Sequence, residues 1–180
     1  MVFIDESGLL MAPLVRRSWS PRGQTPVLYQ RMRSHQHVSV MAALCIGPSR
    51  DRVSLCFRLH PKQSIRAPQV RDFLGQLTGH LQGSVVLVWD RLAAHRSRIV
   101  HRWLQRHPGV HVEFLPPYAP ELNPVEYVWS YLKSNPLANI ALTEIDSLTH
   151  LARCHSRKLQ HRESLLRSFV NHSPLFLRLK

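Results

Sequence analysis

Two apolar runs of the chain end on an aspartate, "VFID" at Asp5 and "VVLVWD" at Asp90. In an open α/β sheet the reactive groups gather outside the carboxyl ends of the strands, so two neighbouring strands of this kind set their carboxylates face to face. Like charges that close raise each other's pKa, and a hard divalent cation with oxygen ligands relieves them. That chemistry points to magnesium or manganese. A single aspartate at a strand end also serves as a turn-former or a helix cap, and two such strands leave both readings open. Glu6 is a weaker substitute for Asp5, because alternation along a strand sends it to the opposite side.

A third acid follows in "FLPPYAPELNPVEYVWSYLKS", Phe114 to Ser134, where four prolines fall within nine residues ahead of an amphipathic helix. With Asn123 as N-cap, Pro124 takes the first helical position and Glu126 the third, a capping box with an asparagine cap. Val125, Val128, Trp129 and Leu132 form the buried stripe, and Glu126 lies on its flank with Ser130 and Lys133. From that shoulder it reaches over the sheet edge toward Asp5 and Asp90. Cap and ligand compete for one side chain. Pro116, Pro117, Pro120 and Pro124 restrict the loop, so Glu126 arrives at a defined height.

The elements that must hold these groups read as strands first and helices later. Residues 1–7 open with an apolar run; 37–47 and 51–61 are β-rich and pair antiparallel about the Gly47–Arg50 turn. Residues 67–81 carry Val70, Phe73, Leu74, Leu77 and Leu81 on one helical face. The unbroken apolar run 84–90 suits a strand buried on both faces. Residues 95–107 read as a helix with Ile99, Trp103 and Leu104 inward, 110–116 as a strand, and 143–170 as helical with Leu148, Leu151, Leu159, Leu165, Leu166 and Phe169 buried. This order predicts one α/β domain over 1–180, a mixed five-stranded sheet flanked by helices.

Lys and Arg number 24 against 11 acids, a net charge of +13, so the surface attracts polyanions and nucleic acid is the first partner to consider. A membrane-surface role is disfavoured: there is no run of 18 apolar residues, no charged-then-apolar leader and no long basic amphipathic helix. A cytoplasmic protein is expected. Between Pro and Gly punctuation, residues 13–36 form a basic loop or loose hairpin whose Arg16, Arg17, Arg22, Arg31 and Arg33 meet no acid. These five are candidate phosphate contacts, with Arg91, His95 and Lys133 nearer the acids. His95 orients substrate or a carboxylate, or caps its helix. The pair His35/His37 has no third ligand beside it and reads as solvated loop. Trp19 packs on the sheet or stacks on a base. Cys45, Cys56 and Cys154 lack C-x-x-C spacing and read as reduced core thiols.

In order and spacing, "FIDESG", "WSPRGQTP", "VWDRLAAH" and "FLPPYAPELNPVEYVWSYLK" resemble the catalytic domain of mariner-like DDE transposases of bacterial insertion sequences, with 35 residues between Asp90 and Glu126. The resemblance implies a ribonuclease H-like fold, with Asp5, Asp90 and Glu126 as an acidic triad holding two Mg²⁺ or Mn²⁺ ions. It implies metal-dependent cleavage at the element's ends, followed by attack of the freed 3′-hydroxyl on target DNA, commonly at a flexible TA step. It also implies a homodimer acting on DNA near the bacterial nucleoid. Two features depart from the family pattern. Arg91 stands where asparagine is usual after the second aspartate, and the family's upstream helix-turn-helix region is absent from this chain, so a separately encoded or frameshift-fused segment would supply it. The alternative is a DNA-binding remnant without turnover.

Overall fold

The computed structural model describes residues 1–12, 14–29, 36–175 and 177–180. Its five strands are β1 (Val2–Leu10), β2 (His37–Ile46), β3 (Val53–Pro61), β4 (Val85–Trp89) and β5 (Val110–Phe114). They form one sheet in the order β3-β2-β1-β4-β5, antiparallel at β3-β2-β1 and parallel at β1-β4-β5. The helices are α1 (Ala67–Thr78), α2 (Arg98–Gln105), α3 (Val125–Ser134), α4 (Ile145–Gln160) and α5 (Glu163–His172). This is the mixed five-stranded architecture expected, with the Gly47–Arg50 turn joining β2 to β3.

The sheet separates two cores. Val2, Ile4, Met41, Ala43, Leu87 and Trp89 face α1 and α2, whose Val70, Phe73, Leu74, Leu77 and Val100 cover them. Phe3, Leu9, Val38, Val40 and Leu44 face the other way, under Val125, Val128, Trp129 and Leu132 of α3 and the apolar faces of α4 and α5. Alternation along β1 therefore decides which layer each side chain meets.

Several elements differ from the sequence expectation. β1 does not end at Asp5 but runs on to Leu10, because β2 pairs with it along its whole length, from Val2↔Cys45 to Leu10↔His37. Only the β4 side stops early, after Val2↔Leu87 and Phe3↔Val88. Helix α2 begins at Arg98 rather than at residue 95, since Ser97 accepts a hydrogen bond from the Val100 amide and caps it there. The inward face rotates accordingly: Val100 is buried, whereas Ile99 is 40% exposed. Residues 143–170 hold two helices, α4 and α5, broken at His161–Arg162.

Candidate active site

Extending the β1/β4 register by two residues past Phe3↔Val88 brings Asp5 level with Asp90, although β4 itself ends at Trp89. Both residues thus lie where the parallel pair separates, and both line the same cleft. Above this point Leu115 to Pro120 cross from β5 to α3, tied by the Leu115 amide to the Trp89 carbonyl at 2.8 Å. Asp5, Asp90, Arg91, Asn123 and Glu126 line the resulting cleft of about 270 Å³ together with that proline-rich loop. Tyr118 stands fully exposed on its rim in a left-handed conformation, φ 58°, uncommon for a non-glycine residue. A second cavity of about 280 Å³ lies beside Leu14, Leu137 and Leu148, with Lys133 its one charged wall residue. It lacks the acids.

Buried Asn123 connects α3 to the sheet. Its Nδ2 donates to the Ile4 carbonyl at 3.1 Å and its Oδ1 accepts from the Val125 amide at 3.2 Å. The N-cap is Pro124, one residue later than expected and with no side-chain cap, so Asn123 makes an Asx-type turn to the Val125 amide and the capping box is not made. The Asn123 amide donates instead to the Pro120 carbonyl at 2.9 Å within the short 3₁₀ turn Pro120–Leu122. Glu126 takes no hydrogen bond from the described residues, so its carboxylate is left to the cleft. Asn123→Ala removes both bonds and leaves the Ile4 carbonyl buried and unpaired. We expect about 1–3 kcal/mol of lost stability, read as a drop in thermal midpoint of roughly 2–4 °C for each kcal/mol.

The electrostatics join the three acids. Burial first, then the charge of Glu126, pushes the Asp5 carboxyl up to about 7, against the opposing hydrogen bond from Trp129. That indole Nε1 donates to Asp5 Oδ2 at 2.6 Å. Burial and then Asp90 raise Glu126, partly offset by Lys133. Asp90 Oδ1 accepts from the Leu92 amide at 3.0 Å; His95 Nδ1 hydrogen-bonds the Asp90 carbonyl at 3.2 Å and lies 2.8 Å from Oδ1 as an ion-pair contact. Among the described residues no three His, Cys, Asp or Glu side chains stand close enough to hold an ion. Three carboxylates nevertheless line the one cleft, Asp5 raised by burial and Glu126, and Glu126 by burial and Asp90; they are the hard oxygen donors that a divalent cation takes.

The other expected contacts are scattered. Arg16, Arg17 and Arg22 are exposed in residues 14–29, where Asn139 brackets the Arg16 backbone and Gly23, at φ 82°, makes the turn after Arg22. Trp19 is wholly exposed and does not pack on the sheet. Arg31, Arg33 and His35 lie outside the described residues. Arg91 lines the cleft with its guanidinium 5.7 Å from the Phe114 ring centroid. Lys133 donates to Ser7 Oγ at 2.7 Å. His95 has a side chain with no exposure, which puts it out of reach of a phosphate and against the carboxylates of Glu6 and Asp90.

Sequence reasoning missed the outer face of α2. Arg96, Arg98, Arg102 and Arg106 are all exposed, and none forms an ion pair with an acid among the described residues. Arg98, Arg102 and Arg106 follow at i, i+4 spacing, which is unfavourable between like charges on a helix. The signal was present in "HRSRIVHRWLQRH", where basic residues alternate with the apolar ones that suggested an inward face.

A family model described as DDE superfamily endonuclease matches residues 1–149. The chain belongs to this family. Uncharacterized protein y4pE/y4sA of Sinorhizobium fredii is 38% identical over 66 residues, 36% of this chain and 46% of that one. The catalytic domain of Mos1 mariner transposase superposes with a TM-score of 0.56 at 14% identity, covering 98% of this chain and 83% of that one. The Mos1 paired-end complex with Mg gives 0.65 at 18% identity, covering 95% and 52%. At these identities the likeness is one of fold: this DDE endonuclease domain has the ribonuclease H-like sheet of the Mos1 catalytic domain. The chain spans about half the length of the Sinorhizobium protein and of the Mos1 chain in that complex. No described helix is long and apolar enough to cross a membrane.

Proposed function

We propose that this chain is the catalytic part of a bacterial insertion-sequence transposase, cutting phosphodiester bonds at the element's ends and joining the freed 3′-hydroxyl to target DNA. The observation that carries the reading is the convergence of Asp5, Asp90 and Glu126, from β1, the end of β4 and α3, on one cleft of a DDE-family chain. These three would hold two divalent ions, and Mos1 complexes have been solved with Mg and with Mn. Bound there, the ions would lower the pKa of the attacking hydroxyl and stabilise the leaving oxygen.

The residues of the chain supply position and field. Trp129 and the Asn123 bridge fix β1 against α3, so Asp5 and Glu126 share one wall of the cleft. Arg91, on the rim, offers a cation to a phosphate entering it. The arginines of α2 hold the duplex by its backbone, which positions DNA without specifying sequence. Recognition of the element's ends falls to a helix-turn-helix segment, and two chains act as a homodimer on paired ends.

The test is to incubate the chain with supercoiled plasmid and a labelled duplex carrying a free 3′-hydroxyl, with Mg²⁺, Mn²⁺ or EDTA. Nicking and joining that need the metal are expected. No turnover with either ion, with binding to DNA retained, indicates the inactive remnant instead. A second result concerns α2. Arg98→Ala and Arg102→Ala should each weaken duplex binding alike across sequences and lower the slope of log K against log [salt] by about 1. An unchanged slope would place the duplex elsewhere.

A further inference from the structure

One dipeptide of β1 serves both sides of the sheet. Asp5 points to α3, where the Trp129 indole holds its Oδ2. Glu6, on the opposite face, meets His95, whose Nε2 donates to Glu6 Oε1 at 2.9 Å. The other ring nitrogen, Nδ1, donates to the Asp90 carbonyl at 3.2 Å and stands 2.8 Å from Asp90 Oδ1 as an ion-pair contact. The imidazole lies flat on Trp89, with centroids 4.1 Å apart and planes at 7°, and its side chain has no exposure. Glu6 is 12% exposed at its side chain and Asp90 is 53% exposed. A buried ring therefore connects one strand's carboxylate to the other's.

This arrangement has a consequence for Asp90. It sits in an exposed turn beyond β4, with no strand partner to hold its side chain. Both contacts of its carboxylate fall on Oδ1, a hydrogen bond from the Leu92 amide and the ion-pair approach of His95 Nδ1, and Oδ2 has no partner among the described residues. Glu6 fixes the ring from behind and the Trp89 face fixes its plane, so Nδ1 is held against the Asp90 carbonyl and Oδ1 together. Outer partners that orient a metal ligand typically alter affinity or activity by about 10–100-fold when removed.

We propose that Glu6 and His95 form a positioning pair for Asp90, tethering Oδ1 so that Oδ2 is presented as the ligand oxygen. The inference rests on the reading of Asp90 as a metal ligand. It gives β1 two roles, supplying one acid itself and orienting the second through the sheet.

The experiment compares the unmutated chain with Asp90→Asn, His95→Gln, Glu6→Ala and Glu6→Gln. It measures Mn²⁺ binding by titration calorimetry, plasmid nicking against Mn²⁺ concentration, duplex affinity in EDTA and the thermal midpoint. Glu6→Ala and His95→Gln should weaken Mn²⁺ binding and raise the Mn²⁺ needed for half-maximal nicking by about 10–100-fold, while duplex affinity in EDTA stays within about twofold of the unmutated chain. Glu6→Gln keeps an acceptor oxygen for Nε2–H and should recover most of the loss seen in Glu6→Ala. If His95→Gln does not fold, the two Glu6 variants carry the comparison, with the thermal midpoint checking that each is folded. Loss in Asp90→Asn together with unaltered Mn²⁺ binding and nicking in Glu6→Ala overturns the positioning pair alone. Unaltered metal binding and nicking in Asp90→Asn, or neither in the unmutated chain, overturns the ligand reading and the pair with it.

Discussion

Asp5→Asn, Asp90→Asn and Glu126→Gln each reduce metal-dependent plasmid nicking by about 10²–10⁴-fold, the equivalent of the several kcal/mol by which a bound ion stabilises charge in the transition state. The three substitutions are near-isosteric, so the fold should remain. The Asn123 bonds to Ile4 and Val125 are untouched by all of them, and an asparagine at position 5 still presents an oxygen to the Trp129 indole. What each change removes is one negative charge in a cleft where Glu126 raises Asp5 and Asp90 raises Glu126. Retained DNA binding with lost nicking is the expected pattern. A variant that nicks at the unmutated rate removes that residue from the site.

The second large effect is a coupling of metal, proton and stability at Asp5. Its folded value near 7 lies above the ordinary 3.8, chiefly through burial and then through Glu126. Between those values the folded chain binds more protons than the unfolded one, so this residue's contribution to stability falls as pH rises from about 4 to about 7 and stays low above that. Asp5→Asn removes the penalty. Without metal at pH 8 the variant should melt higher than the unmutated chain, by roughly 2–4 °C for each kcal/mol recovered, and at pH 4 the two should coincide. An ion binding at Asp5 displaces that proton, so Mn²⁺ affinity should rise about tenfold with each unit of increasing pH up to about 7 and level off above it. Equal melting points at pH 8, with an affinity flat from pH 5 to 7, would show that Asp5 is already ionised in the free protein.

Much of the site was legible because its parts are local. The apolar run before Asp90 identifies a strand, though one fully buried on a single face because Val86 is exposed, the stripe Val125, Val128, Trp129 and Leu132 identifies the docking face of α3, and the prolines mark the approach to it. Parallel pairing then brings Asp5 and Asp90 level, which no single segment encodes. The contacts that orient the carboxylates were not legible for the same reason. Trp129 read only as core, although its indole N–H reaches Asp5 across 124 positions, and His95 reaches Glu6 across 89. Alternation placed Glu6 correctly on the far side of β1, but nothing in the spacing says which side chain waits there. The boundary of α2 was misplaced because "HRSRIVHRWLQRH" is apolar enough at Ile99 to suggest burial, while the cap at Ser97 turns Val100 inward instead. That error hid the arginine face. The expected end of β1 at Asp5 failed because pairing to β2 carries the strand on after β4 has left.

The claim that Asp5, Asp90 and Glu126 act as one ligand set is tested most directly by Mn²⁺ titration calorimetry at pH 8 on the unmutated chain and the three carboxamide variants. Saturable binding in the unmutated chain, weakened at least about tenfold in every variant, is the predicted result. Binding of equal strength in all four proteins, or none in the unmutated chain, contradicts it.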